Sequence, residues 1–162
     1  MSQTTIFTLG HSDHDIETFT DLLQQHAISL VVDVRSQPYS RWASQFNREL
    51  LEDDLETEGF DYRFMGDVLG GRPSNPDFYT GGQPDYGQME DSPVYQAGID
   101  ELLEIAANHR VALMCSEGDH RECHRHRLIS QTLLKRGVRV VHIKPDGESI
   151  EGERVAEQLP LF

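Results

Sequence analysis

The sequence predicts a single α/β domain with a mainly parallel sheet and helices on both faces. Three observations predict it. Short apolar runs recur at 6–9, 30–34, 111–115 and 138–143, the pattern of strands covered on both sides. Stretches with apolar residues at helical spacing separate them. The 162 residues are enough for one core without disulfide or metal staples.

The first strand, Ile6 to Leu9, ends in Gly10-His11-Ser12. Asp13 or Asp15 then caps a helix whose apolar positions Ile16, Phe19, Leu22 and Leu23 share one face, up to about His26. Leu30 to Val34 is a second strand, leaving through Asp33-Val34-Arg35-Ser36 and the turn-prone Gln37-Pro38. Strand, helix and strand make a βαβ unit with both exits on one edge, so His11, Ser12, Asp33 and Arg35 share a rim. The irregular stretch 38–46 offers Ser40, Arg41 and Trp42 to cover that rim. Asn47 caps a helix with Leu50, Leu51 and Leu55 on one side, closed by Gly59, and Tyr62 to Met65 forms a third strand.

Residues 66–93 hold six of the thirteen glycines and four of the seven prolines, and no helix is expected there. A loop this long, with Phe78, Tyr79 and Tyr86 in it, is expected to pack over the edge of the site. Val94 to Asn108 returns to helical spacing, and the strand 111–115 follows. A last helix ends near Arg136 with Gly137 as its stop, and Val138 to Ile143 is another strand. The domain so read is Rossmann-like and spans 1–144. Residues 145–162 form a polar C-terminal tail with a few apolar residues at its end.

The formal charge of −14 excludes a broadly basic nucleic-acid coat. It is compatible with an acidic surface that says nothing of function. Only Lys135 and Lys144 are lysines; the arginines cluster near the strand exits, and a planar guanidinium suits oxyanions. No apolar run approaches the roughly eighteen residues of a membrane span. The N-terminus lacks a basic region followed by an apolar core, so the chain is expected to be cytoplasmic and its Cys115 and Cys123 to be reduced.

The stretch VALMCSEGDHRECHRHR, 111–127, carries the densest chemistry. Its strand ends at Cys115-Ser116-Glu117, a third polar exit beside the other two, and ligands of open α/β sheets bind beyond such strand ends. Asp119 and Glu122 have capping-box spacing, which starts the last helix near His120. Rotation by about 100° per residue puts Arg121 and Arg125 on the face toward the sheet, His124 at its edge, and Cys123 and Arg127 outward. An arginine so placed needs a partner, and Asp33 and Glu117 are the natural ones. A lock between helix and sheet is the plain alternative to a ligand site.

Cys115 sits where a thiol can be nucleophilic, although a buried cysteine is often inert. Its spacing to Arg121 matches the cysteine, five residues, arginine pattern of phosphatase loops. Glu117 and Asp119 inside that loop would repel a phosphate, and only one glycine lets backbone amides converge. Cys115, His120, Cys123, His124 and His126 lack the paired spacing of a structural zinc site, so no metal site is assigned. A site of His11 with Cys115 and His124 stays an alternative.

With GHS at 10–12, DVRSQP at 33–38, LGGRP at 69–73, LMCSE at 113–117 and CHR at 123–125, the chain resembles the domain of unknown function 488 family over about residues 5 to 143. The resemblance implies a compact α/β domain with an enzyme-like site. Its motif positions are His11, Ser12, Asp33, Arg35, Ser40, Arg41, Gly70, Gly71, Cys115, Glu117, Cys123, His124 and Arg125. It also opposes the outward Cys123: a helix starting nearer Glu122 or Cys123 would bring Cys123, His124 and Arg125 to the strand exits.

The expectation is a small enzyme, a hydrolase or transferase, acting on an anionic, phosphate-bearing ligand such as a nucleotide or nucleic acid at the C-terminal rim of the sheet. His11, Cys115, Glu117 and His124 are the catalytic candidates. Ser12, Asp33, Arg35, Ser40, Arg41, Gly70, Gly71, Cys123 and Arg125 are the ligand-binding ones, with Arg35, Arg41 and Arg125 holding the anion. The alternatives are a non-catalytic nucleotide- or partner-binding module, or a thiol/His metal or redox site. No cofactor is assigned and no membrane partner expected.

Overall fold

In a computed structural model, residues 3–73, 75–118, 123 and 125–154 are described, the side chains of 125–127 excepted. The strand β1 (Thr5–Gly10) leads into α1 (Ile16–Gln25), then β2 (Leu30–Asp33), α2 (Arg48–Thr57) and β3 (Asp61–Phe64). A run of short elements follows: α3 (Gly66–Leu69), the hairpin β4 (Tyr79–Thr80) and β5 (Gln83–Pro84), and α4 (Tyr86–Glu90). The long helix α5 (Pro93–Ala106) precedes β6 (Val111–Cys115). A π-helical turn, Arg125–Ser130, runs into α6 (Gln131–Lys135), and β7 (Arg139–Ile143) and β8 (Ser149–Glu151) complete the described chain.

The main sheet has the order β3-β2-β6-β1-β7-β8, parallel except for β8, which pairs antiparallel to β7. The α/β class with a mostly parallel sheet is thus the observed one. β1 and β2 are not neighbours: β6 lies between them, pairing Gly10 with Cys115 on one side and Asp33 with Met114 on the other.

Alternation along the strands divides the core. Val111, Leu113 and Cys115 of β6 face Tyr95, Ile99 and Leu102 of α5 and Leu128, Ile129 and Leu133 after it. Ala112 and Met114 face Phe19 and Leu23 of α1 and Leu51 and Leu55 of α2. An unbroken apolar run therefore fills two layers at once.

Asp15 caps α1, its carboxylate accepting from the Thr18 amide. Asn47 stands at the cap position of α2, but its side chain instead accepts from the Ser40 amide at 2.7 Å. Leu50, expected on the apolar side of that helix, is exposed.

The expectation of no helix in 66–93 fails twice, at α3 and α4. Their few residues anchor Leu69 and Met89 in the core. β8 lies within the stretch read as a tail, while 155–162 is outside the described residues. No helix among the described residues is long and apolar enough to cross a membrane.

Candidate functional site

Backbone hydrogen bonds continue beyond the ladder and tie the three exits together. The His11 amide donates to the Cys115 carbonyl at 2.9 Å, the Ser12 amide to Ser116 at 2.9 Å, and the Val34 amide to Met114 at 3.0 Å. Such close approach needs Gly10, where a Cβ would overlap the Glu117 carbonyl oxygen. Gly66 lies equally close to the Arg35 carbonyl. At Gly70 a side chain would strike Ser36 Oγ, the atom that accepts from the Arg72 amide at 2.9 Å. The glycines thus let three loops pack onto one rim.

Asp33 is fully buried and its carboxylate is shared. Arg35 donates from Nε to Oδ1 at 2.9 Å and from Nη2 to Oδ2 at 2.8 Å, and Tyr62 Oη donates to Oδ2 at 2.6 Å. Arg35 Nη2 also donates to the Phe46 carbonyl at 2.8 Å. A two-pronged pair with further hydrogen bonds is what a buried charge requires. Burial and the Asp33 charge push the Tyr62 hydroxyl well above its usual range, so it stays a donor. Asp33 thus pairs with Arg35, while the expected partner Arg125 has its side chain outside the described residues. Two residues apart on an extended exit, Asp33 and Arg35 can turn to the same side.

His11 lies beneath this rim. Its ring stacks on Phe46 with centroids 4.6 Å apart, and its Nδ1 is 2.8 Å from the Ser12 carbonyl, which makes Nδ1 the protonated nitrogen. Burial lowers its pKa from 6.5 to about 4, the Ser12 bond opposing and the Arg35 charge assisting. His11 Nε2 is buried without a hydrogen-bond partner among the described residues.

Above the rim opens a cleft of about 310 Å³, lined among others by Arg35, Ser36, Arg72, Tyr86, Cys115, Glu117 and Cys123. Gly71, Arg72, Gln83, Pro84 and Tyr86 make its outer wall, all from the 66–93 segment. Cys115 and Cys123 stand at its floor with their sulfurs 2.7 Å apart. The Cys115 thiol also faces the Glu117 carbonyl at 3.7 Å. Cys123 is buried, not turned outward. The rotation that predicts otherwise assumes an α-helix through residue 123, whereas the described helix starts at Arg125 as a wider π-turn.

The cleft brings together Arg35, Gly71, Cys115, Glu117 and Cys123 of the predicted site residues. It does not include His11, Ser12, Asp33, Ser40, Arg41 or Gly70 in its lining. Ser12 bonds its own neighbour Asp13, and Ser40 Oγ accepts from the Trp42 and Ala43 amides. Arg41 is exposed and Trp42 is 97% exposed, so these side chains do not cover the rim as expected. His124, the capping pair Asp119 and Glu122, and Arg121 lie outside the described residues, as does the Arg125 side chain.

Arg72 is a lining residue that the sequence reading leaves out of the site, whereas Tyr86 comes from the loop expected at its edge. Arg72 had a signal, since it follows Gly70-Gly71 in the same short motif. Among the described residues no ion pair occupies the Arg72 guanidinium. Nor do three His, Cys, Asp or Glu side chains gather among the described residues as a metal site would require.

The family model described as domain of unknown function DUF488 matches residues 15–132, from the cap of α1 into α6. No curated protein and no solved structure matches the chain.

Proposed function

The chain belongs to the family of domain of unknown function DUF488, and on that footing we propose that it is a small enzyme acting on an anionic, phosphate-bearing ligand in the cleft. The observation that carries this reading is that a cysteine thiol, Cys115, and an arginine without an ion pair among the described residues, Arg72, line one cavity at the ends of parallel strands. A cavity of about 310 Å³ is at the lower end of small-molecule sites, which run about 300–1,000 Å³. That size suits a small phosphate compound or a nucleotide better than a polymer.

The roles follow from access. Arg72 holds the anion, because Arg35 is committed to Asp33 and Phe46. Cys115 is the nucleophile: its sulfur forms a bond to the electrophilic centre while the bond to the leaving group breaks. Glu117, exposed and on the same cleft, takes the thiol proton, which neutralises the carboxylate that would otherwise repel a phosphate, and returns it to the leaving group. His11 is outside the lining, so its part is to hold the rim in shape.

Calorimetric titration with inorganic phosphate and with pyrophosphate tests the reading. Saturable binding is expected, weakened about 10-fold or more in Arg72→Ala, the size of one charge-assisted hydrogen bond. Absence of binding, or binding indifferent to Arg72→Ala, counts against it. Equal binding by Cys115→Ser, with no turnover by the parent on any phosphate ester, points to a binding module.

A further inference from the structure

We propose that Cys115 and Cys123 form a redox-active dithiol that a peroxide converts to an intramolecular disulfide. This stands on the sulfur pair alone and holds whether or not the cleft takes an anion. The two residues are distant in local structure, one ending β6 and the other preceding the π-helical turn, yet their sulfurs are 2.7 Å apart. Disulfide bonding needs about 2.05 Å, so a small side-chain movement closes the gap. Two thiols that only filled core space would have no reason to meet beside a cavity. These two are almost fully buried from the side of α5 and α6, and both still line the cleft. A small, neutral peroxide can enter there.

The geometry also gives the two sulfurs different parts. Cys115 is held on a strand end whose carbonyl accepts the His11 amide, and the Cys123 thiol donates toward the Cys115 sulfur. Cys115 is therefore the attacking sulfur and Cys123 the resolving one. In the first step Cys115 attacks the O–O bond of a hydroperoxide. One oxygen goes to sulfur, giving a sulfenic acid, and the other leaves as the alcohol, or as water from hydrogen peroxide. In the second step the Cys123 sulfur attacks the sulfenic sulfur, the S–O bond breaks and water leaves. Two thiols are oxidised, one peroxide is reduced, and the two thiol hydrogens end on the released oxygens. A dithiol reductant reverses the product by exchange. The π-turn that follows Cys123 fits this assignment, since such turns are frequent at working sites.

Peptide mapping under non-reducing conditions is the test, on the full chain treated with one equivalent of hydrogen peroxide and quenched with N-ethylmaleimide in denaturant. The expected result is a Cys115–Cys123 linked peptide, both thiols lost to alkylation, and both restored by dithiothreitol. Cys123→Ser should accumulate a sulfenic acid on Cys115 that dimedone traps, and Cys115→Ser should consume peroxide at least an order of magnitude more slowly than Cys123→Ser. Retention of both alkylatable thiols, oxidation beyond sulfenic acid without a link, or links only between chains would each overturn the proposal. The mapping on the unaltered chain decides the matter even where a variant fails to fold.

Discussion

His11, a catalytic candidate in the sequence, is buried outside the lining of the cleft. Its buried ring is neutral in the native chain down to about pH 4, whereas in the unfolded chain it titrates near 6.5. Above 6.5 both forms are neutral and no stability depends on the proton. Between 6.5 and about 4 the unfolded chain takes up a proton that the native one refuses, so stability falls with pH, by about 3 kcal/mol across the window. His11→Asn should therefore lose less stability than the parent between pH 7.5 and 4.5 in urea unfolding; parallel losses would disprove the assignment. The buried pair gives a second expectation. Arg35→Met strands the Asp33 carboxylate and should cost about 3–5 kcal/mol by thermal unfolding, with part of the loss regained in Asp33→Asn/Arg35→Met. That a buried charge here needs a partner is legible in the sequence. The pairing with Arg35, two positions from Asp33, is not marked by any sequence pattern, and the Arg125 side chain lies outside the described residues.

Among the elements, β6 decides where the site lies. Its entry between β1 and β2 makes Cys115 the middle exit and sets the exits of β1 and β2 on either side. Gly10→Ala would drive a methyl into the Glu117 carbonyl and should cost about 1–3 kcal/mol, with chemical shifts of residues 115–118 moving most in the NMR spectrum. An unchanged stability would mean that the strand exits are not packed as described. The long apolar runs and α1 and α5 are legible because each shows a full repeat of its pattern. α3 and α4, with four and five residues, are too short to show one, and all three residues of β8 are exposed, so no alternation marks it. Sheet order is set by packing between distant segments, which no local pattern encodes.

At the scale of the molecule, the chain carries a net charge of −14 and would repel anions from its surface as a whole. Among the described residues, the proposed anion preference at the cleft rests on Arg72 and its immediate surroundings. The convergence of three strand exits and the place of Cys115 there are legible from topology rules. In the 66–93 wall the aromatic Tyr86 is legible from composition, whereas Arg72 is not singled out by it. Whether Cys115 is nucleophilic in an anion-selecting cleft is decided by alkylation of the reduced protein with iodoacetate and iodoacetamide, followed at Cys115 by peptide mapping. Saturable modification by the anionic reagent is expected, faster than by the neutral one, protected by inorganic phosphate and lost in Arg72→Ala. Faster modification by iodoacetamide, with no protection by phosphate, would contradict this reading.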